Sequence, residues 1–404
     1  MSVTQKNLFD RVLDYANRAN PYPIYEEMRK QPVARQDDGR YVVSTFNEVR
    51  AALLDPRFSV DARKGDLKLD RPLAYQQEPA FVRLDPPRHD QLRRQVMSKF
   101  TPELVSGLAP RIEEIVQDLL DRLRNERQLD IVEDFAYPLP VTIICEILGV
   151  PREDEPRFHE WTERLIKGFD VGQRDNEELR TQANQASEQL NSYMRDLITH
   201  IQQQPRDGLL SAIIHDKQSE ERMSNDDLVR TAVLLLIAGH ETTVNLITNS
   251  MLTLLRFPEH LEGLQRDPEN VPNLVEEVLR YEPPVQYVLR NTLTDVTLAN
   301  VKISRGSSVA LMLASANRDP ARYADPNRFD PARKNIEHLS FGNGIHYCVG
   351  APLARLEAQI ALIALAHRLI HPRLLSDPPP YRASSLLRGP RHLPVSVERV
   401  LSIV

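Results

Sequence analysis

The chain has 404 residues, of which 41% are hydrophobic and 27% charged, with a net charge of −6. This composition is ordinary for a folded protein and lacks the basic balance of a nucleic-acid binder, so we expect no nucleic-acid partner. No run reaches the ~18–20 apolar residues that cross a bilayer, and residues 1–7 lack the apolar core of a secretion signal. We therefore expect a cytoplasmic protein without membrane contact.

Hydrophobic spacing along most of the chain is that of helices. The pattern predicts helices over residues 101–126, 176–203, 224–256 and 351–370. The third begins at a capping run from Ser224 and extends over about 32 residues, which is about 48 Å at 1.5 Å per residue. A helix of that length should cross the whole molecule. Short alternating runs predict strands over residues 40–44 and 308–312.

The 30 prolines are scattered among loops, and no linker or repeat divides the sequence. We therefore predict a mainly α fold with a minor β region, formed by one domain of residues 1–404. The two cysteines are too few for a disulfide framework. Cys145 lies in an apolar run and should be a small buried side chain, whereas Cys348 is surrounded by glycines.

The segment around Cys348 is the most specific in the sequence. Three glycines in residues 341–350 permit tight turns with positive φ, and Pro352 suits the first turn of a helix that begins just after the cysteine. A helix N-terminus lowers the pKa of a thiol from its usual value of about 8.5. These features favour a reactive or metal-binding thiolate; a glycine-rich turn with an inert cysteine is the alternative.

Residues 341–355 carry Phe, Gly, Gly, His, Cys, Gly, Leu, Ala and Arg at offsets that resemble the haem-binding signature of the cytochrome P450 family. The resemblance implies the P450 fold, a single triangular domain with a long central helix. It also implies a haem b cofactor whose iron is the metal bound by the thiolate of Cys348. By the same resemblance, Phe341 packs beside the sulfur and His346 faces a haem propionate.

Three further residues resemble the propionate-binding positions of that family. His89 and Arg93 are four residues apart and share one helix face, and Arg290 lies in a later apolar segment. Histidine and arginine donate charge-assisted hydrogen bonds to carboxylates. On spacing alone, His89 and Arg93 are more often solvated charges, so the propionate role depends on the resemblance.

Glu277 and Arg280 match the family's Glu-x-x-Arg pair, and the resemblance assigns Arg328, in the segment Pro-Asn-Arg-Phe, as the arginine that joins them. We interpret this trio as structural. Without the resemblance, the pair would be a surface ion pair worth about 0–1 kcal/mol.

The long helix contains Ala238, Gly239, His240, Glu241 and Thr242, a polar interruption among leucines. It resembles the family's oxygen-activation motif, in which the helix widens to make room for O2. On that basis Glu241 and Thr242 are catalytic and relay protons, while Ala238 and Gly239 border the haem and substrate. A structural alternative, which can hold at the same time, is a hydrogen bond from Thr242 to a carbonyl one turn earlier.

The function that the resemblance implies is a monooxygenase that inserts one oxygen atom of O2 into a C–H bond of an apolar organic substrate. Because the sequence ends soon after the cysteine helix, we expect electrons to come from NAD(P)H through a separate ferredoxin, of the 2Fe-2S kind or similar, and its reductase. The ferredoxin should dock near Arg93, Arg94, Lys99 and Arg355, and the protein should be a monomer. Substrate-lining positions are expected in 61–84, 165–172, Val285, Val288 and Leu387.

Three rival interpretations remain. A peroxygenase would use H2O2 directly and would not need Glu241 and Thr242. A non-catalytic haem sensor or carrier would likewise lack the acid–alcohol pair. A helical interaction protein without a cofactor would not need glycines around a cysteine.

Overall fold

A helix of 32 residues, α11 (Asn225–Arg256), forms the centre of the fold, as the sequence predicts. The computed structural model describes residues 7–66, 79–169, 176–216 and 222–402. In these residues the helices before it are α1 (Leu8–Leu13), α2 (Tyr22–Arg29), α3 (Phe46–Leu54), α4 (Arg88–Met97), α5 (Pro102–Gly107), α6 (Ala109–Arg122), α7 (Pro138–Leu148), α8 (Glu155–Phe169), α9 (Glu177–Gln203) and α10 (Leu209–Ile214). Those after it are α12 (Pro258–Arg266), α13 (Val271–Tyr281), α14 (Leu313–Ala316) and α15 (Ala351–Arg368).

The strands are short and make up a minor part of the described chain. They are β1 (Val33–Arg35), β2 (Tyr41–Val43), β3 (Phe58–Ser59), β4 (Gln128–Asp130), β5 (Val288–Thr292), β6 (Val296–Leu298), β7 (Val301–Ile303), β8 (Ser308–Leu311), β9 (Leu369–Ile370), β10 (Arg373–Leu374), β11 (Pro394–Ser396) and β12 (Arg399–Val400). The largest sheet has the order β1-β2-β8-β5-β3, with β2 and β8 parallel and Tyr41 opposite Val309. The two strands predicted from sequence correspond to β2 and β8, which are neighbours in this sheet.

The start of α11 is fixed by a capping box. Asp227 N–H donates to Ser224 Oγ at 3.1 Å, and Ser224 N–H donates to the Asp227 carboxylate at 3.2 Å, so two backbone donors of the first turn are satisfied. Among the described helices, α11 alone is long and apolar enough to span a membrane. However, 67% of its most apolar 18-residue segment is buried inside the fold. It packs against α7, α9, α12, α13 and α15, as a core helix does.

The helix predicted over residues 101–126 is two helices, α5 and α6. Pro110 lies in the first turn of α6, and because proline has no N–H to donate, it cannot continue the preceding helix. The interpretation of Cys145 is confirmed: it lies in α7, fully buried, and burial raises the pKa of its thiol.

A buried ion-pair network joins α13 to the segment before the cysteine loop. Glu277 and Arg280 are completely buried, with Arg280 Nε and Nη2 each 2.7 Å from a Glu277 oxygen. The third member is Arg333, whose Nε lies 3.2 Å from Glu277 Oε1. The expectation for Arg328 was wrong, because its side chain is 70% exposed and only its carbonyl accepts from Arg280 and Arg333.

We predict that Arg333→Ala lowers the free energy of unfolding by about 1–3 kcal/mol, because it removes one of the two charged donors of the completely buried Glu277. Arg328→Ala, the matched control, should change it by less than about 0.5 kcal/mol. Urea unfolding followed by circular dichroism measures both. Equal effects of the two substitutions would contradict the network described above.

Candidate active site

The loop that carries Cys348 is shaped by two glycines with positive φ, Gly342 at +73° and Gly344 at +69°. A Cβ on Gly344 would lie 3.0 Å from the Leu53 carbonyl oxygen, so this position also needs the absence of a side chain. Cys348 N–H donates to Phe341 O at 2.9 Å, which closes the loop. The loop then leads directly into α15.

The Cys348 side chain is accessible, but enough protein surrounds its sulfur that burial raises the pKa of the thiol. The backbone N–H groups of Gly350 and Ala351 and the charges of Arg93 and Arg355 lower the pKa, by less than burial raises it. The helix N-terminus thus lowers the pKa of the thiol, as the sequence predicts, but desolvation outweighs this effect. A bound metal cation would reverse this balance, since a coordinating thiol is deprotonated.

Arg355 ties the cysteine loop to α13. Its Nε and Nη2 lie 2.6 and 2.9 Å from the two oxygens of Glu276, a bidentate pair. Its guanidinium lies 4.5 Å from the centre of the Phe341 ring, and its Nη1 donates to the Tyr347 hydroxyl at 3.3 Å. One side chain thus connects the start of α15 to both ends of the loop before Cys348.

Cationic residues from three distant parts of the sequence converge beside this loop. The rings of His89, from α4, and His346 lie 4.3 Å apart. Arg290, from β5, and Arg93, one turn after His89, are close enough to His346 to help lower the pKa of its imidazole to about 3, although burial is the largest cause. Sequence reasoning had grouped these four residues, and the fold brings them together.

The buried donors and acceptors of this cluster are incompletely satisfied. Within the described part of the chain, His89 Nε2 and His346 Nδ1 have no hydrogen-bond partner. Arg290 donates from Nη1 only to the carbonyl of the adjacent Leu289, and burial lowers the pKa of Arg290 to about 10. A buried group of cationic and orphaned nitrogens is the complement of an anion that carries carboxylates. These residues therefore fit a haem, which carries two.

An accessible stretch interrupts the buried surface of α11. Ala238 is exposed and Thr242, one turn later, is partly exposed, whereas α11 is buried from Thr243 to Leu254. Thr242 Oγ1 donates to Ala238 O at 2.7 Å, which confirms the structural alternative for this residue. The backbone is helical along the whole of α11, and the widening for O2 stays a prediction. A Cβ on Gly239 would lie 3.2 Å from Ile144 of α7, so this glycine permits close helix packing.

Glu241 lies on a different, buried side of α11. Its Oε1 is 3.0 Å from Nη1 of Arg382, and both side chains are 7% exposed. Burial raises the pKa of the Glu241 carboxyl, and the charge of Arg382 opposes this. Sequence reasoning missed Arg382, since no spacing rule relates it to a helix far earlier in the chain.

The expected substrate-lining positions have mixed outcomes. Residues 67–78 and 170–172 lie outside the described residues. Val285 and Leu387 are paired by an isolated β-bridge, and Val288, at the start of β5, is partly exposed. Leu165 is buried in the main hydrophobic core, and its lining role stays a prediction.

Known proteins share this sequence and fold over nearly their whole length. The sequence model of the family described as "Cytochrome P450" matches residues 33–393. Cytochrome P450 107B1 of Saccharopolyspora erythraea is 40% identical over 387 residues, which cover 92% of this chain and 93% of that protein. The 6-deoxyerythronolide B hydroxylase of the same species is 37% identical over 395 residues, which cover 93% and 96%. Among solved structures, ligand-free CYP164A2 of Mycobacterium smegmatis matches with a TM-score of 0.90 and 38% identity, covering 96% of this chain and 99% of that one.

The fold is that of a haem-dependent oxygenase. The chain belongs to the cytochrome P450 family, and it is a monooxygenase that uses haem and O2. The predicted family and the mainly α fold are confirmed.

We predict a pH dependence for the Glu276–Arg355 pair. Burial raises the pKa of Glu276, but hydrogen bonds from Arg355 and His338 outweigh it and lower the pKa from 4.5 to about 2. A carboxyl whose pKa is lower in the folded than in the unfolded chain stabilises the fold at pH values above its unfolded pKa. This contribution is lost as the pH falls from about 4.5 towards 2. Glu276→Gln should therefore lower the melting temperature at pH ~7, with a difference from the native protein that shrinks below pH ~4.5.

The control is Glu259→Gln, which changes an exposed carboxylate of α12. It should leave the melting temperature nearly unchanged at every pH. Thermal unfolding followed by circular dichroism measures both variants. A loss for Glu276→Gln that stays constant down to pH ~2 would show that the charge of Glu276 is not what matters.

Proposed function

We propose that this protein inserts one oxygen atom of O2 into a C–H bond of an apolar organic substrate, with haem iron bound by the thiolate of Cys348. The observation that carries the proposal is the convergence of His89, Arg290 and His346 beside the cysteine loop. A cysteine that could bind iron and, beside it, a cluster whose buried His89 Nε2 and His346 Nδ1 have no hydrogen-bond partner in the described chain suit the iron and the propionates of one haem.

We assign the haem-binding roles as follows. Cys348 is the metal ligand, and Phe341, whose carbonyl accepts from the Cys348 N–H, borders it. The propionates receive hydrogen bonds from His89, Arg93, Arg290 and His346. When bound, the haem supplies the activation of O2. Ala238 and Gly239, in the accessible stretch of α11, border the haem and substrate.

We assign proton handling to Thr242 and Glu241. The Thr242 hydroxyl is accessible and donates to Ala238 O, which leaves its lone pairs free to accept a hydrogen bond. Glu241, the next residue, is buried, and burial raises the pKa of its carboxyl, so it holds a proton at higher pH than an exposed glutamate does. A buried acid beside an accessible hydroxyl is an arrangement suited to general-acid catalysis.

An apolar substrate is supported by the residues around the accessible stretch. Leu234 and Leu235 are partly exposed one turn before Ala238, and Val285 and Leu387 meet in a β-bridge. The 6-deoxyerythronolide B hydroxylase is, by its name, a hydroxylase of an organic molecule. Hydroxylation by this chain is our proposal by analogy with that relative.

The electron donor we propose is a ferredoxin served by an NAD(P)H-dependent reductase. Four large apolar side chains, Leu54, Met97, Ile345 and Tyr347, are 39–51% exposed on the cysteine loop and on the helices α3 and α4. Exposed apolar groups beside a cation suit a protein partner. Of the arginines and the lysine expected there, Arg355 is held by Glu276 and Lys99 by Asp216 at 2.9 Å.

Arg93 donates to Tyr347 O at 2.6 Å. Arg94 is exposed and forms no ion pair among the described residues, so it is the cation most available to an acidic ferredoxin. We further propose that the protein is a cytoplasmic monomer of one domain. The continuous packing of α11 against helices from both halves of the chain supports the single domain.

The experiment that tests the proposed function is the difference spectrum of the reduced, CO-bound protein. Thiolate ligation predicts a strongly red-shifted Soret band that Cys348→His abolishes. Cys145→Ala, the control at the other cysteine, should keep the band. A haem protein whose band is unaffected by Cys348→His would contradict the assignment.

We predict that Arg94→Glu slows reduction by an acidic ferredoxin by roughly threefold to tenfold, because it places like charges across the docking surface. The effect should shrink as ionic strength rises. Arg195→Glu, the same change of charge at an exposed position of α9, is the control. Stopped-flow reduction measures both; equal rates for the two variants at low salt, or peroxide-supported turnover that exceeds ferredoxin-supported turnover, would overturn this electron route.

A further inference from the structure

One face of α11 is lined by buried polar side chains. Glu241, Asn245 and Asn249 follow one another at intervals of four residues, which places them on the same side of the helix, and all three are buried. Other buried polar side chains of α11, those of Thr248, Ser250 and Thr253, donate to carbonyls of the helix itself, whereas this face turns towards another segment. What it faces is therefore informative.

The face lies against residues 381–390, which we name the C-terminal hairpin. The hairpin is closed by a β-bridge between Tyr381 and Pro390 and by a hydrogen bond from Arg382 N–H to Gly389 O at 3.1 Å.

Each of these three residues contacts the C-terminal hairpin. Arg382 pairs with Glu241, and Asn249 Nδ2 donates to Arg388 O at 3.0 Å. A Cβ on Gly389 would lie 2.2 Å from Asn245 Oδ1, so the hairpin backbone approaches Asn245 as closely as glycine allows.

Four buried polar atoms at this contact have no hydrogen-bond partner among the described residues. They are Nε and Nη2 of Arg382 and Oδ1 and Nδ2 of Asn245. Leaving a buried polar group unbonded costs about 1–3 kcal/mol, and sites with several polar partners are those that hold buried water. The free N–H donors of Arg382 and the amide N–H and oxygen of Asn245 could hydrogen-bond water molecules next to Glu241.

We propose that Arg382 is the positioning residue of Glu241, and that Arg382 and Asn245 bind the water that returns protons to Glu241. This inference rests on the proposed role of Glu241. The Glu241 carboxyl gives its proton towards Thr242, and its carboxylate then takes one from the bound water. That water is restored by a proton from solvent, so one proton enters for each one delivered.

The outer end of the route lies near half-exposed charges. Arg391 lies 3.7 Å from Glu163 and 2.8 Å from Glu133, and the three side chains are 30–37% exposed. Five titratable groups are close enough to Glu241 to interact with its charge. They are Arg382 and Arg391 from the C-terminal part, Glu163 and Lys167 from α8, and Tyr137 before α7. Of these, Arg382 has the largest influence, and its Nη1 lies 3.0 Å from the Glu241 carboxylate.

The first test is isotope-edited infrared titration of Glu241 in the haem-free chain and in the holoenzyme. Arg382→Gln removes the cation that contacts Glu241 in the described chain, so the Glu241 carboxyl should remain protonated to higher pH than in the native protein. Arg382→Lys should restore the native titration. Arg256→Gln, which breaks a similar pair with Asp377 at the far end of α11, should not change it. An unchanged Glu241 titration in Arg382→Gln would overturn the positioning role.

The second test is turnover of the holoenzyme. We expect the amount of product formed per NAD(P)H to fall roughly tenfold in Asn245→Leu. This loss is small beside the rate acceleration of about 10²–10⁴ that a positioned proton donor contributes. The solvent deuterium isotope effect should also rise. A folded Asn245→Leu that forms as much product per NAD(P)H as the native protein, with the native isotope effect, would overturn the water route. If Asn245→Leu does not fold, Asn245→Ser takes its place: its shorter polar side chain should lower the yield of product per NAD(P)H, and a native yield would overturn the water route.

These outcomes are separable from failure of the proposed function. A native enzyme without thiolate spectrum or product would refute that function, whereas the infrared titration still tests the link between Arg382 and Glu241.

Discussion

The position of Cys348 depends on the ion pair between Glu276 and Arg355. Arg355 is in the first two turns of α15, where it also contacts Phe341 and Tyr347, so the pair fixes both the helix that follows the cysteine and the turn that precedes it. The neighbouring Glu277 points to a different side of α13 and binds Arg333. Two adjacent glutamates of one helix thus anchor both flanks of the segment that presents the sulfur.

The charges around this segment are arranged for a ligand of mixed sign. On one side is a thiol that protein surrounds and that a metal cation would deprotonate. On the other side, His89, Arg290 and His346 gather without an ion pair to Arg290 or His346 in the described chain. A haem would bring a metal cation to the thiol and carboxylates to the cluster.

Features that depend on short stretches of sequence were predictable. The capping run before α11, the glycines around Cys348 and the four-residue spacing of His89 and Arg93 each act through neighbours along the chain, so the pattern contains them. The resemblance to the P450 family then grouped His346 with His89, which spacing alone did not.

Features that depend on the path of the chain in space were not predictable. Arg328 and Arg333 lie in one loop, and which of them turns inward depends on the loop's fold and not on residue type. The pairing of Glu241 with Arg382 joins the central helix to the C-terminal hairpin, and no periodicity connects them. The pKa of Cys348 is set by the density of protein around the sulfur, which sequence does not report.

The central claim is that iron is held by the sulfur of Cys348, and X-ray absorption at the iron edge of the haem-loaded protein tests it most directly. We expect one sulfur atom among the ligands of the iron in the native protein and in Cys145→Ala, and no sulfur in Cys348→Ala. A native protein whose iron is bound axially only by nitrogen or oxygen, or a sulfur signal that survives in Cys348→Ala, would contradict the account.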